Sequence, residues 1–146
     1  MVQITKTPIS TEKIIGAVVA PASGAINVFI GTTRNHSQGR SVKSLEYEAY
    51  EPMALRMMEQ ILHEAKNRWN IHDAVIVHRV GKVSVGEASV VIAVSSSHRD
   101  EAFQSCRFLI DRLKHVVPIW KREFFADGAV EWSLQSHELK TESEAS

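Results

Sequence analysis

The sequence predicts an α+β fold with a mostly antiparallel sheet and about three helices. Apolar residues recur at helical spacing in only three stretches. The strand-like runs between them are joined by short turns, whereas a doubly wound parallel sheet would place a helix after nearly every strand. At 146 residues and 44% hydrophobic, the chain suits one core and one domain, read as residues 1–136. Residues 137–146 are polar and read as a flexible tail.

The elements follow in order. Ser10 and Thr11 precede EKIIGAVVAP, a short helix stopped by Pro21. Gly24 to Gly31, GAINVFIG, reads as a buried strand, and Thr32 to Ser41 as a polar loop. Ser44 to Tyr50 alternates Leu45, Tyr47 and Ala49 with Glu46 and Glu48, a strand with one wet face. Pro52 opens a helix on which Leu55, Met58, Ile61, Leu62, Ala65 and Trp69 keep helical spacing. Its methionines read as core packing. Asp73 to Val80 is a strand, and Gly81 and Gly86 bracket a short one. Ala88 to Ser95 is a strongly apolar strand leading to a helix over about Glu101 to Val116. Pro118 ends that helix, and Trp120 to Leu134 offers strands about an Asp127-Gly128 turn.

Charge narrows the function classes. Lys+Arg and Asp+Glu both number 17, so the basic excess of a nucleic-acid binder is missing. Any anion site must come from local clustering. A single cysteine, Cys106, excludes an intrachain disulfide and fits a reducing compartment. No apolar run nears the ~20 residues that span a bilayer, and the N-terminus lacks an apolar leader core. The expected location is the cytoplasm, with no membrane partner. The seven histidines form no H-x-H or H-E-x-x-H pattern, so no metal is expected.

The clustering appears between Ser95 and Glu123. His98 and Arg99 flank the start of the helix, with Asp100 as the expected N-cap. Free N–H groups and the helix dipole favour phosphate there, and Arg99 adds a bidentate clamp. His98 can donate to a phosphate oxygen or exchange a proton near neutrality. On the helix, Ala102, Phe103, Cys106, Leu109, Ile110, Leu113 and Val116 form the apolar stripe, with Lys114 at its edge. Spacing alone favours a solvated ladder of Arg107, Asp111 and Lys114 over a cleft-wall lysine. Lys121, Arg122 and Glu123 follow Pro118 at once. A lysine beside another cation can lose its proton more easily, though charges defending an edge strand explain the same residues. A further basic cluster, Arg34, His36 and Arg40, lies in the polar loop.

Five motifs, in this order and at these distances, resemble one family. They are Phe29-Ile30-Gly31-Thr32-Thr33-Arg34-Asn35, Leu45-Glu46-Tyr47-Glu48-Ala49-Tyr50, His78-Arg79-Val80-Gly81, Ser97-His98-Arg99, and Leu113-Lys114 through Pro118-Ile119-Trp120-Lys121-Arg122-Glu123. The resemblance is to the large, catalytic subunit of molybdopterin synthase, and it spans about Ile14 to Trp132. It implies an α/β hammerhead type of fold, a single catalytic domain and a sulfurtransferase. Two sulfurs would pass from the C-terminal thiocarboxylate of a small ubiquitin-like sulfur-carrier subunit to cyclic pyranopterin monophosphate (precursor Z), making the dithiolene of molybdopterin. It also implies a homodimer of this chain within a heterotetramer, and no cofactor or metal for the transfer. By position, Arg34, His98 and Arg99 would hold the pterin and its phosphate. Lys114 and Lys121 would be the catalytic lysines, also touching substrate, with Arg122 and Glu123 beside them.

The residue types suit that chemistry. A phosphate needs cations, and thiocarboxylate attack that expels oxygen needs a donor to the leaving group. A lysine can serve as that donor or form a transient adduct that detaches the carrier tail. The competing readings are a non-catalytic binding module for a phosphorylated metabolite or a partner tail and, last, a phosphohydrolase using His98.

Overall fold

The computed structural model describes residues 1–134, so the tail expected at 137–146 lies outside the described residues. The elements run β1 (Val2–Thr5), α1 (Thr11–Val18), β2 (Ala25–Thr32), β3 (His36–Ser37), β4 (Arg40–Ala49), α2 (Glu51–Arg68), β5 (Ile71–Arg79), β6 (Gly81–Ser84), β7 (Ala88–Ser96), α3 (Arg99–Val116), β8 (Ile119–Phe125) and β9 (Val130–Leu134). The three helices and mostly antiparallel strands match the expected class.

The strands form two sheets. One has the order β1-β5-β7-β2, the other β3-β4-β8-β9, with β6 also paired to β4. In the first sheet, β5 and β7 are buried on both faces, which is why they read as unbroken apolar runs. On one face, Ile14 and Val18 of α1 cover Val75, Val77, Val91 and Ala93. On the other, Met58, Ile61 and Leu62 of α2 and Leu109, Ile110 and Leu113 of α3 cover Ala74, Ile76, Ile92 and Val94. The larger core continues into the second sheet through Val42, Leu45, Tyr47, Ile119 and Phe125.

The structure differs from the sequence expectation at four places. β1 is an added strand that pairs parallel with β5. With four residues it is too short to show a period, and its pairing is distant in sequence. β2 is an edge strand rather than a buried one, leaving Ile26 40% and Ile30 44% exposed. The polar loop contains a tight hairpin between β3 and β4, turned by Gln38 and Gly39 at φ 52° and 74°. Two consecutive positive φ values are those of a type I′ turn, which matches the twist of paired strands. Finally, α3 begins at Arg99 with His98 as its N-cap, placing Asp100 inside the first turn. Phe103, assigned to its apolar stripe, is 58% exposed, while Ser105 is buried and bonds back to the Glu101 carbonyl.

Candidate active site

The site forms where the core of the second sheet meets the end of α3. Helix α3 closes with the Val117 N–H bonded to the Leu113 carbonyl, and Pro118 then forces an extended exit into β8. This reversal brings Lys114, in the last turn of the helix, alongside Lys121 in the strand. Both line one cleft of about 180 Å³ with Arg34, His36, Tyr47 and Glu123. That volume is below the ~300 Å³ at the small end of typical ligand pockets.

Strand register explains who faces the cleft. Lys121 pairs with Tyr47 and Glu123 with Leu45, so these four side chains share a face of the β4–β8 ladder. Arg122 pairs with Glu46 and takes the opposite face. There its guanidinium donates to Glu46 Oε2 at 2.9 Å and stacks on Phe124 and Trp132. The structure thus brings together Lys114, Lys121, Arg34 and Glu123 and holds Arg122 apart from them.

Lys121 is only 6% exposed, in a strand flanked on both sides by β4 and β9. It is therefore no guard of a sheet edge. Burial pulls its amine below the ordinary lysine value, Glu123 opposes that shift, and the charges of Lys114 and Arg34 add to it. Its Nζ lies 3.6 Å from Glu123 Oε1. Tyr47 is buried against it, and burial raises the phenol's pKa, so it stays protonated.

The close approach of β2 to β7 shapes the cleft's wall. Gly31 lines it, and a Cβ there would meet Val90 Cγ1 at 2.7 Å. The register slips between Gly31 and Thr32, a bulge that ends the regular pairing just before Arg34. Arg40 is drawn away from Arg34 and His36. It bridges Asp127 and Glu131 and lies over the Phe125 ring.

His98 and Arg99 occupy the far end of the same helix. The cleft touches the start of β7, at Ser89 and Val90, whereas His98 follows its end. The 18 residues of α3 span about 27 Å, so within one chain these two do not meet Lys114. Both are exposed, His98 makes no side-chain cap bond, and Asp100 and Glu101 stand in the first turn. Sequence reasoning missed Tyr47 as a cleft residue. Its place opposite a lysine in the neighbouring strand is a non-local pairing. Among the described residues no three His, Cys, Asp or Glu side chains gather as a metal site, and no helix is long and apolar enough to cross a membrane.

Comparisons with known proteins agree on one family. Residues 4–116 match the family model described as MoaE protein. The molybdopterin synthase catalytic subunit of Bacillus subtilis (strain 168) is 51% identical over 126 residues, covering 86% of this chain and 80% of that protein. The crystal structure of molybdopterin synthase from Staphylococcus aureus superposes with a TM-score of 0.85 at 38% identity, covering 89% of this chain and 94% of that one. A complex of subunits 1 and 2 of molybdopterin-converting factor from Helicobacter pylori shares the fold, with a TM-score of 0.75 at 23% identity over 90% of this chain and 89% of that one.

Proposed function

The chain belongs to the MoaE family of molybdopterin synthase catalytic subunits, and on that premise we propose that it is a sulfurtransferase. It moves sulfur from the C-terminal thiocarboxylate of a small ubiquitin-like subunit to cyclic pyranopterin monophosphate, forming the dithiolene of molybdopterin. The observation that carries this reading is the meeting of Lys114, Lys121 and Arg34 in one cleft. Burial lowers the pKa of Lys121, which readies its ammonium to give up a proton.

The roles follow from charge. Arg34, exposed just beyond the bulged end of β2, faces the substrate's phosphate. Lys114, half-buried at the cleft, holds the anionic thiocarboxylate. As the thiocarboxylate sulfur bonds to carbon, negative charge grows on the oxygen that leaves, and Lys121 donates to it; water then cleaves the carrier's acyl carbon–sulfur bond, leaving the sulfur on the pterin and releasing the carrier as its carboxylate. Glu123 keeps Lys121 in place and takes up the balance of its charge. Arg122 braces β9 from the opposite face.

His98 and Arg99 reach a cleft through a second copy of the chain. The outer edge of β2 carries no strand among the described residues, and Ile26 and Ile30 stand exposed beside it. Antiparallel pairing of this edge with its copy about a two-fold axis sets the Ala25 end of one β2 against the Thr32 end of the other. Ala25 pairs with Ser96, just before His98, and Thr32 lines the cleft. Each protomer then offers His98 and Arg99 to its neighbour's pterin, within a heterotetramer capped by small subunits. The free thiol of Cys106 fits the reducing cytoplasm.

The test is reconstitution. Purified chain, verified thiocarboxylated carrier and cyclic precursor should yield a dithiolene-bearing pterin. Absence of product overturns the reading. Tight pterin binding together with unchanged sulfur transfer in Lys114→Ala and Lys121→Ala proteins favours the non-catalytic module.

A further inference from the structure

His78 is a buried ionisable group directly behind the cleft that the chemistry above leaves unused. It follows Ala74 and Ile76 on the face of β5 that packs against α2 and α3. Its partner across the ladder is Val90, a cleft residue. Its ring meets the edge of Tyr47, another cleft residue, at 5.1 Å and 69°. The side chain is fully enclosed.

One hydrogen bond fixes its chemistry. Nδ1 lies 2.8 Å from the backbone carbonyl oxygen of Arg79. A carbonyl only accepts, so Nδ1 carries the proton and Nε2 of the neutral ring, with no proton of its own, is an acceptor. A buried acceptor calls for a donor. The Tyr47 hydroxyl is engaged with Ser89. The ammonium of Lys114 is the charge that acts on the ring: burial, then this cation, push the imidazole's pKa down to about 4, against the Arg79 bond.

We propose that His78 is a positioning residue whose Nε2 accepts a hydrogen bond from the Lys114 ammonium and aims that amine into the cleft. The functional weight of this contact rests on the sulfur-transfer reading; the contact itself does not. A lysine has four rotatable side-chain bonds, and an acceptor at its tip removes most of that freedom before substrate arrives. The enclosed, neutral ring does this without adding a charge to a cleft that already holds three cations.

Two measurements test it. In full-length protein with ¹⁵N-labelled histidine, long-range proton–nitrogen correlation should show His78 protonated at Nδ1. Its Nε2 signal should lie upfield of a free acceptor and move downfield in Lys114→Met. An Nε2 signal that stays put, or a ring protonated at Nε2, overturns the contact whether or not the chain transfers sulfur. In the reconstituted assay, His78→Phe should lower kcat roughly tenfold to a hundredfold, with the KM for pterin changed less than about twofold. His78→Gln, which restores an acceptor, should recover part of that loss. Full kcat in a folded His78→Phe protein overturns the positioning role; if that variant does not fold, the nitrogen signals decide.

Discussion

Tyr47 and Lys121 face each other across β4 and β8, and both are buried beneath the same cleft. A cation is therefore held within the sheet's packed interior, where its charge is costly unless paired, and Glu123 lies 3.6 Å away.

Lys121→Met should therefore separate stability from activity. Turnover should fall by about a hundredfold or more, the scale of losing a donor at a developing anion. The melting temperature should change little, because the gain from removing a desolvated ammonium offsets the loss of its pairing with Glu123. Calorimetry beside the reconstituted assay checks both; a large loss of stability would make Lys121 chiefly a structural partner of Glu123.

The proposed sharing of each cleft between two copies of the chain predicts complementation. Lys114→Ala and Arg99→Ala proteins, each inactive alone, should recover about a quarter of wild-type activity when unfolded and refolded together at equal amounts. Half the dimers would then be mixed, each with one intact cleft. An Ile30→Lys chain should run as a monomer in sedimentation and resist this rescue.

Arg122→Ala should spare kcat while lowering stability by about 1 kcal/mol, the loss of its stacking on Phe124 and Trp132 and of a part-exposed ion pair with Glu46. Urea unfolding and turnover measured on the same preparation decide this. A collapse in kcat would give Arg122 a direct role at the substrate.

His78 makes stability depend on pH. Its folded pKa of about 4 lies below the ordinary 6.5, so between these values the unfolded chain binds a proton that the folded chain refuses. Stability should fall as pH drops through this window, by up to ~3 kcal/mol. His78→Gln should flatten that part of the curve in urea midpoints taken at several pH values.

Cys106 should play no part in carrying sulfur. It is 1% exposed, and burial pushes its thiol up to about 11. Native protein should resist iodoacetamide at neutral pH by mass spectrometry. Cys106→Ser should remain active while losing about 1–2 kcal/mol of stability from a hydroxyl placed in the core.

Much of the fold was legible because its central elements carry strong local patterns. The run Ala88 to Ser95 and the stripe through Leu109 and Leu113 can hardly be anything else. Pro118 marked the reversal that brings Lys114 and Lys121 together. What stayed hidden was non-local. Four residues of β1 gain their meaning only from β5. The adjacent pair Lys121 and Arg122 looks alike in sequence, yet strand alternation sends them to opposite faces. His98 and Lys114 look like neighbours on one helix, but the length of α3 separates them. His78 reads as an ordinary strand residue until its ring is seen against Tyr47, behind the cleft.

The floor of the cleft is made of Val42, Leu45 and Val90, which also belong to the main core. Occupying the cleft is thus linked to folding of the main core. Any anion that occupies the native cleft should shift the whole melting transition upward as one step, by about 2.7 kcal/mol at roughly a hundred times its Kd.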